Sequence, residues 1–259
     1  MMRLNASQAV SPTLLHGLVG AWCPSLGPSG YTLFDRSGNG NHGTLTNMDA
    51  ASDWVSAPGG WALDFDGAND WVDTPRPRQV ASTGVKQFTV AYWVKLNSGY
   101  GKTLNCNVTN GIIVYSATNL PGGIQMGVGN TYPIRTNTKL TAGLWAHCAI
   151  VFNDKAVSLF INGKPDGGGT SANFPNFGNA DFAFGGTGGS ETTNGQHGDW
   201  GFWLRAMSPG EVASLYGMGM AGLGRMLTQR RRRVYGISAA PVKPYLFLSR
   251  GQVIGGGIR

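Results

Sequence analysis

The sequence predicts an all-β fold, a two-sheet antiparallel sandwich or a barrel, on three observations. Short runs alternate apolar and polar residues with the period of a strand. Turn-forming residues separate them, above all the 41 glycines. Aromatic residues (10%) are spread along the chain while charged residues are sparse (13%), a composition suited to half-buried pleated surfaces. At 259 residues the chain is long enough to bury a full core within one domain.

Taken in order, residues 1–16 read as an N-terminal arm that leads into a first strand, Gly17-Leu18-Val19-Gly20-Ala21-Trp22. Residues 35–43 form a loop of Gly, Asn, Ser and Asp, which favour turns. Ala62-Leu63-Asp64-Phe65-Asp66 alternates as a half-buried strand, and a turn at residues 67–70 leads to a second strand at Trp71-Val72-Asp73. Residues 87–97 give the clearest strand: Phe88, Val90, Tyr92, Val94 and Leu96 fall on one face, Thr89, Ala91, Trp93 and Lys95 on the other. Residues 145–152 form a more fully apolar strand. After Val157, Leu159 and Ile161, the pair Asn162-Gly163 supplies the positive backbone angles of a tight hairpin. Later strands are expected at residues 181–185 and 199–205. One stretch reads as helix: Ser208-Pro209-Gly210-Glu211 combines a cap, Pro at the first helical position and a capping box, and the helix ends at Gly217.

Charge divides the chain. Of its 20 basic residues, eight fall at or after Arg225 (Arg225, Arg230, Arg231, Arg232, Arg233, Lys243, Arg250 and Arg259), and no acid follows Glu211. The body is close to neutral and the end is cationic, the pattern of an interaction arm, or of a solvated tail. Residues 217–259 therefore read as a Gly/Met linker followed by a basic arm, and residues 242–248 as an extra strand for a neighbouring subunit. Gly217-Met218-Gly219-Met220-Ala221-Gly222 fits a dinucleotide-binding glycine pattern. It follows a helix instead of opening one after a strand, so that chemistry is set aside.

Cys23, Cys106 and Cys148 match no metal spacing and suggest no disulfide framework, which suits folding in a reducing cytoplasm. The first residues carry no apolar stretch of signal-peptide length, so Asn5-Ala6-Ser7 and Asn107-Val108-Thr109 are discounted as glycosylation sites. No run is apolar enough to span a bilayer. The four histidines (His16, His42, His147, His197) show neither metal spacing nor a paired nucleophile. Glycoside hydrolysis needs two carboxylates flanking the bond. The chain has only two glutamates, Glu191 in a Gly/Ser/Thr loop and Glu211 on the capped helix. A non-enzymatic protein is expected. Trp54, Trp61 and Trp71 lie near loops and are the candidate sugar-stacking residues. Trp93, Trp145 and Trp203 read as core or sheet surface.

Seven segments occur in the order of a known family: residues 17–22; Asp35-Arg36-Ser37-Gly38-Asn39-Gly40-Asn41-His42-Gly43; Ala62-Leu63-Asp64-Phe65-Asp66-Gly67; Phe88-Thr89-Val90-Ala91-Tyr92-Trp93-Val94; Gly143-Leu144-Trp145-Ala146-His147; Leu159-Phe160-Ile161-Asn162-Gly163; and Arg205-Ala206-Met207-Ser208. Over residues 17–216 the chain resembles the laminin-G-like jelly-roll family of the concanavalin A-like lectin/glucanase group. The resemblance implies a two-sheet jelly roll that binds glycans, proteins or a structural calcium. It does not fix one activity. It implies a calcium site on Asp35, Asn39 and Asn41, joined by an acid on the last long strand. There Asp199 stands beside a glycine, Gly198, where relatives often carry the acid. The alternative is that Asp35 and Asn39 close the loop by side-chain-to-backbone hydrogen bonds.

An arginine run after such a domain resembles the ending of many bacteriophage virion-associated proteins. Arg230, Arg231, Arg232, Arg233 and Tyr235 are the candidate partner-binding residues. Four adjacent guanidinium groups repel one another and call for carboxylates or phosphates on a partner. A capsid or tail subunit is the expected partner, with nucleic acid less favoured because no aromatic-and-basic groove accompanies the run. The expectation is a decorating protein of the virion, made in the host cytoplasm and present in symmetric copies. Its jelly roll would face outward to host-surface glycans. The alternative is a free-standing, calcium-dependent lectin module.

Overall fold

The computed structural model describes residues 12–81, 83–106, 111–119, 122–128, 131–178, 181–187 and 191–235. The chain runs through α1 (Pro12–Leu15), β1 (Leu18–Trp22), a 3-10 turn (Pro24–Leu26), β2 (Thr32–Leu33), β3 (Gly43–Thr46), β4 (Trp54–Ala57), β5 (Gly60–Asp66), β6 (Trp71–Thr74), β7 (Gln87–Leu96) and β8 (Tyr100–Cys106). It continues through β9 (Ile112–Ala117), β10 (Ile124–Val128), β11 (Thr131–Thr136), β12 (Ala146–Asn153), β13 (Ala156–Ile161), β14 (Lys164–Thr170), β15 (Phe182–Phe184), β16 (Asn194–Trp203), α2 (Pro209–Gly217) and α3 (Gly222–Tyr235).

The strands pair antiparallel along one path, β2-β3-β6-β15-β8-β9-β10-β11-β14-β13-β12-β7-β16-β5-β4, with β1 added beside β16. The path turns a corner between β11 and β14, where only Arg135↔Gly168 and Thr136↔Gly167 pair. Gly167 there has φ +106, and a Cβ would meet the Arg135 carbonyl at 2.5 Å, so the corner requires glycine. The path thus folds into a front sheet (β2 to β11) and a back sheet (β14 to β4, with β1), a jelly-roll sandwich.

The main core lies between the sheets. Phe88, Val90, Tyr92, Val94 and Leu96 of β7 face it, as alternation predicts, with Ile150, Phe152, Trp200 and Phe202. The Tyr92 hydroxyl bonds the Ser116 hydroxyl at 3.0 Å, tying back sheet to front. The other face of the back sheet is buried as well. Ala91, Ala149, Val151, Phe160 and Trp203 pack there against Leu14 of α1, Val212 and Leu215 of α2, and Leu223, Met226 and Leu227 of α3. A sheet covered on both faces reads as a continuous apolar run, which explains why β12 lacks alternation.

The hairpin at Asn162-Gly163 has φ values of +50 and +75 and joins Ile161 to Lys164. The capping box at Ser208 and Glu211 forms with both bonds present. Arg205 grips both Glu211 oxygens, at 2.9 and 2.8 Å, and hydrogen bonds from Arg205 hold the Glu211 carboxyl down at about 2.

Two expectations need correction, the single helix and the linker at residues 217–222. The expected single helix is joined by α1 and α3. The described part of the N-terminal arm, residues 12–16, is docked on the body: Leu14 is buried, Trp203 Nε1 donates to its carbonyl at 2.8 Å, and Arg205 donates to the carbonyls of Thr13 and His16. Residues 217–222 are not a flexible linker, since Met220 and Ala221 are buried and α3 begins at Gly222. The body therefore extends past residue 216 in both sequence and packing. The strand expected at residues 242–248, and the sequons at Asn5 and Asn107, lie outside the described residues. No helix among the described residues is long and apolar enough to cross a membrane.

Candidate functional site

Asp35, Asn39 and Asn41 share one loop, as expected, but the loop is closed by its own hydrogen bonds. Asp35 Oδ1 accepts from the backbone N–H groups of Ala21 (2.9 Å) and Ser37 (2.8 Å). Its Oδ2 accepts from Ser37 Oγ (2.9 Å), Asn41 N (3.0 Å) and Asn41 Nδ2 (3.3 Å). Asn39 Nδ2 donates to the Val19 carbonyl at 3.0 Å, and Asn39 Oδ1 accepts from Gln79. Five donors converge on one buried carboxylate. A hard cation would have to displace them, so the loop as folded does not fit a calcium cage. Among the described residues no group of three His, Cys, Asp or Glu is placed to hold a metal ion.

Asp199 serves elsewhere. It projects from β16 to the helix side of the back sheet, where it shares no partner with Asp35. Its Oδ1 accepts from Ser25 N at 3.1 Å, and its Oδ2 from Ser25 Oγ at 3.0 Å and Gly224 N at 3.0 Å. Gly224 lies in the first turn of α3, whose exposed N–H groups and dipole attract a carboxylate. Burial pushes the Asp199 carboxyl up to about 6, against the pull of its donors. This residue roots α3 in the body.

The three tryptophans diverge. Trp54 is buried and its Nε1 donates to the Gly30 carbonyl at 3.0 Å, so its ring offers no platform to a sugar. Trp61 is 39% exposed, beside Gly27. Trp71 is half-buried on the outer face of the front sheet, paired with Thr46.

No described helix packs on that outer face, and it carries polar chemistry that reading the sequence missed. Register places Asp73, Ala183, Asn105 and Ile113 on one rung across β6, β15, β8 and β9. A bulge after Lys102 puts Lys102 and Tyr115 on the neighbouring rung of the same face. Lys102 Nζ lies 3.1 Å from Glu191 Oε2, and the Tyr115 hydroxyl donates to the same oxygen at 2.8 Å. Burial opposes the Glu191 charge, but the bonds from Tyr115 and Lys102 prevail and hold its carboxyl below the ordinary value. Glu191 has φ +57, a left-handed conformation that a non-glycine residue adopts only when its surroundings hold it there. Asn105 is buried, yet its Oδ1 has no hydrogen-bond partner, an unmet demand for a donor. Tyr100, 39% exposed, packs edge-on against Tyr115, and burial, then the charge of Asp181, raises the Asp73 carboxyl. Lys102, Asn105, Tyr115 and Ala183 are themselves buried, so this face shows solvent its rim: Tyr100, Asp73, Glu191 and half-buried Trp71. A polyol suits such a rim, since it brings hydroxyl donors and apolar C–H faces together. The only sequence hint was an isolated glutamate in a glycine-rich loop.

The remaining candidates, Arg230, Arg231, Arg232, Arg233 and Tyr235, fall on the last turns of α3. Comparison with known proteins gives the context. A family model described as the concanavalin A-like lectin/glucanases superfamily matches residues 66–213, more than half of the chain. No curated protein matches the sequence. Among solved structures, domain 4 of AbnA, an extracellular arabinanase from Geobacillus stearothermophilus in complex with arabinotriose, is similar with a TM-score of 0.62 at 21% identity. The match covers 77% of this chain and 98% of that one. The binding domain of Paraclostridial Mosquitocidal Protein 1 gives a TM-score of 0.60 at 17% identity, covering 78% of this chain and 52% of that one. Trypanosoma rangeli sialidase in complex with sialic acid gives 0.57 at 18% identity, covering 78% of this chain and 33% of that one. The chain spans about half the length of the second and a third of the third. At these identities the likeness is one of fold.

Proposed function

This chain belongs to the concanavalin A-like lectin/glucanases superfamily, and from that premise we propose that it is a non-enzymatic, glycan-binding structural protein of a bacteriophage particle. The sandwich presents the outer face of the front sheet to saccharides. The cationic end fastens the body to neighbouring capsid or tail subunits. One observation carries the reading: α3 is rooted in the body through Asp199 and continues beyond Leu227, its last described buried residue, into the arginine run. Residues from 228 to 235 add about 12 Å of helix. Four adjacent guanidinium groups repel one another, and acidic groups on a partner offset that repulsion. The saccharide part draws support from the arabinotriose and sialic acid complexes of proteins with this fold and from the exposed Tyr100 on the rim of this face.

Truncation after Thr228 tests the reading, because it keeps the buried Leu223, Met226 and Leu227 and removes the arginine run. The shortened chain is expected to fold and to bind the same saccharides on a glycan array as the full chain, while no longer joining the particle. Undiminished incorporation would refute the anchoring role. A second reading, a free-standing lectin module, is favoured by the near-complete coverage of the arabinanase domain. It predicts unchanged behaviour on truncation in every assay.

A further inference from the structure

We infer that the loop around Asp35 carries a second ligand site, specific for the carboxylate of an acidic sugar residue and built from Arg36, Phe34 and His42. The inference rests on the glycan-binding reading but concerns a different place, the β2–β3 connection at the edge of the front sheet. Asp35 points inward and is buried, while Phe34 before it is 38% exposed. The Arg36 guanidinium lies over the Phe34 ring, its Cζ 5.1 Å from the centroid. The His42 ring meets the same phenyl edge-to-face, at 5.1 Å and 78°. Arg36 and His42 therefore sit on one aromatic centre, each about a ring's width away.

Their free chemistry is donor chemistry. His42 Nδ1 accepts the Asp35 backbone N–H at 3.1 Å, which assigns the imidazole proton to Nε2, on the far side of the ring. Among the described residues Arg36 forms no ion pair and its guanidinium donates to no acceptor; the ion pairs found there are Lys102–Glu191 and Arg205–Glu211. The nearest carboxylate, Asp35, already holds five donors. Those same bonds make the loop rigid. The result is a guanidinium held over the Phe34 ring by a cation–π contact, with the His42 imidazole against the same ring. A planar carboxylate satisfies the guanidinium fork with two parallel bonds. Exposed aromatic rings at Phe34 and Tyr31 (58% exposed) suit the apolar C–H face of a pyranose.

The test is titration of the full chain with methyl glucuronide and with methyl glucoside, which differ only in the carboxylate. The acidic sugar is expected to bind at least about tenfold more tightly at low salt, with the advantage shrinking as salt rises. Arg36→Gln removes the advantage. Arg36→Lys, which keeps the charge but loses the fork, restores less than half of it on a logarithmic scale. Equal affinity for the two sugars, or a preference that survives Arg36→Gln, overturns the site. Competition by acetate as effective as that of the glucuronide also overturns it, since the loop would then hold a bare anion and no sugar. The parent reading fails separately: it requires methyl glucoside binding that Tyr100→Ala weakens and Arg36→Gln leaves intact.

Discussion

Replacing Asp199 with Ala tests the root of α3. The change leaves three buried donors, Ser25 N, Ser25 Oγ and Gly224 N, without their acceptor. At roughly 1–3 kcal/mol each they cost about 6 kcal/mol. Deleting a buried carboxylate relieves part of this. Its pKa rises from 3.8 to about 6 on folding, so the charged form opposes folding by about 3 kcal/mol above pH 6. The net loss at pH 7.5 is about 3 kcal/mol. The sign of the pH dependence is the sharper test. A carboxyl whose pKa is raised in the folded state takes up its proton there first, so between pH 6 and about 4 the wild type gains stability from this group. At pH 4.5 the gain is about 2 kcal/mol, and Asp199→Ala cannot share it. Urea unfolding followed by tryptophan fluorescence should therefore show the deficit growing from about 3 to about 5 kcal/mol between pH 7.5 and 4.5. A deficit that is constant, or that shrinks in acid, would refute the burial argument. Hydrogen exchange at the Gly224 amide should accelerate in the variant, locating the damage at the start of α3.

Other perturbations have equally definite signs. His147 and His197 are both fully buried, and burial pushes each down to about 3. The unfolded chain binds their protons first, so each removes roughly 2 kcal/mol of stability between pH 6.5 and 4.5. Neither nitrogen of His197 has a partner; His197→Leu should raise the urea midpoint at pH 7 and flatten its acid limb. Glu211→Gln should cost about 1 kcal/mol at pH 7, because the Glu211 pKa is lowered to about 2 by Arg205 while solvent screens part of that interaction. That contribution is full above pH 4.5 and is lost as pH falls toward 2, where wild type and variant should converge. Calcium at millimolar concentration, compared with chelator, should leave the thermal midpoint unchanged within a degree; a rise of several degrees would mean that the Asp35 loop rearranges around the ion.

The sequence made some of this architecture visible and hid the rest for physical reasons. The inward set of β7, from Phe88 to Leu96, and the Asn162-Gly163 hairpin follow from local rules, the strand period and the need for positive φ. Burial of Ala91 and Trp203 on the opposite face depends on helices contributed by the two ends of the chain, and no local window contains that information. α3 was obscured because Gly222 and Gly224 disfavour helix and only Leu223, Met226 and Leu227 mark its apolar stripe. The indole of Trp54 is removed from any ligand by a bond to a carbonyl 24 residues away, and Asp199 is claimed by Ser25, 174 residues away. The turn after β5 follows from local chemistry: Asp70 accepts from Asp66 N, and Asp66 accepts from Ala68 N. The front-sheet floor at Lys102, Asn105 and Tyr115 was invisible because it is assembled by register across strands and finished by Glu191 from a distant loop.

Cross-linking of virions purified from the native source, read by mass spectrometry, bears most directly on an adhesive body fastened by a cationic end. Lys243, beyond the arginine run, should join to a different virion protein, while Lys102 on the front sheet should show no such link. Virions that lack this chain, or in which Lys243 links to nothing but its own body, would contradict the account.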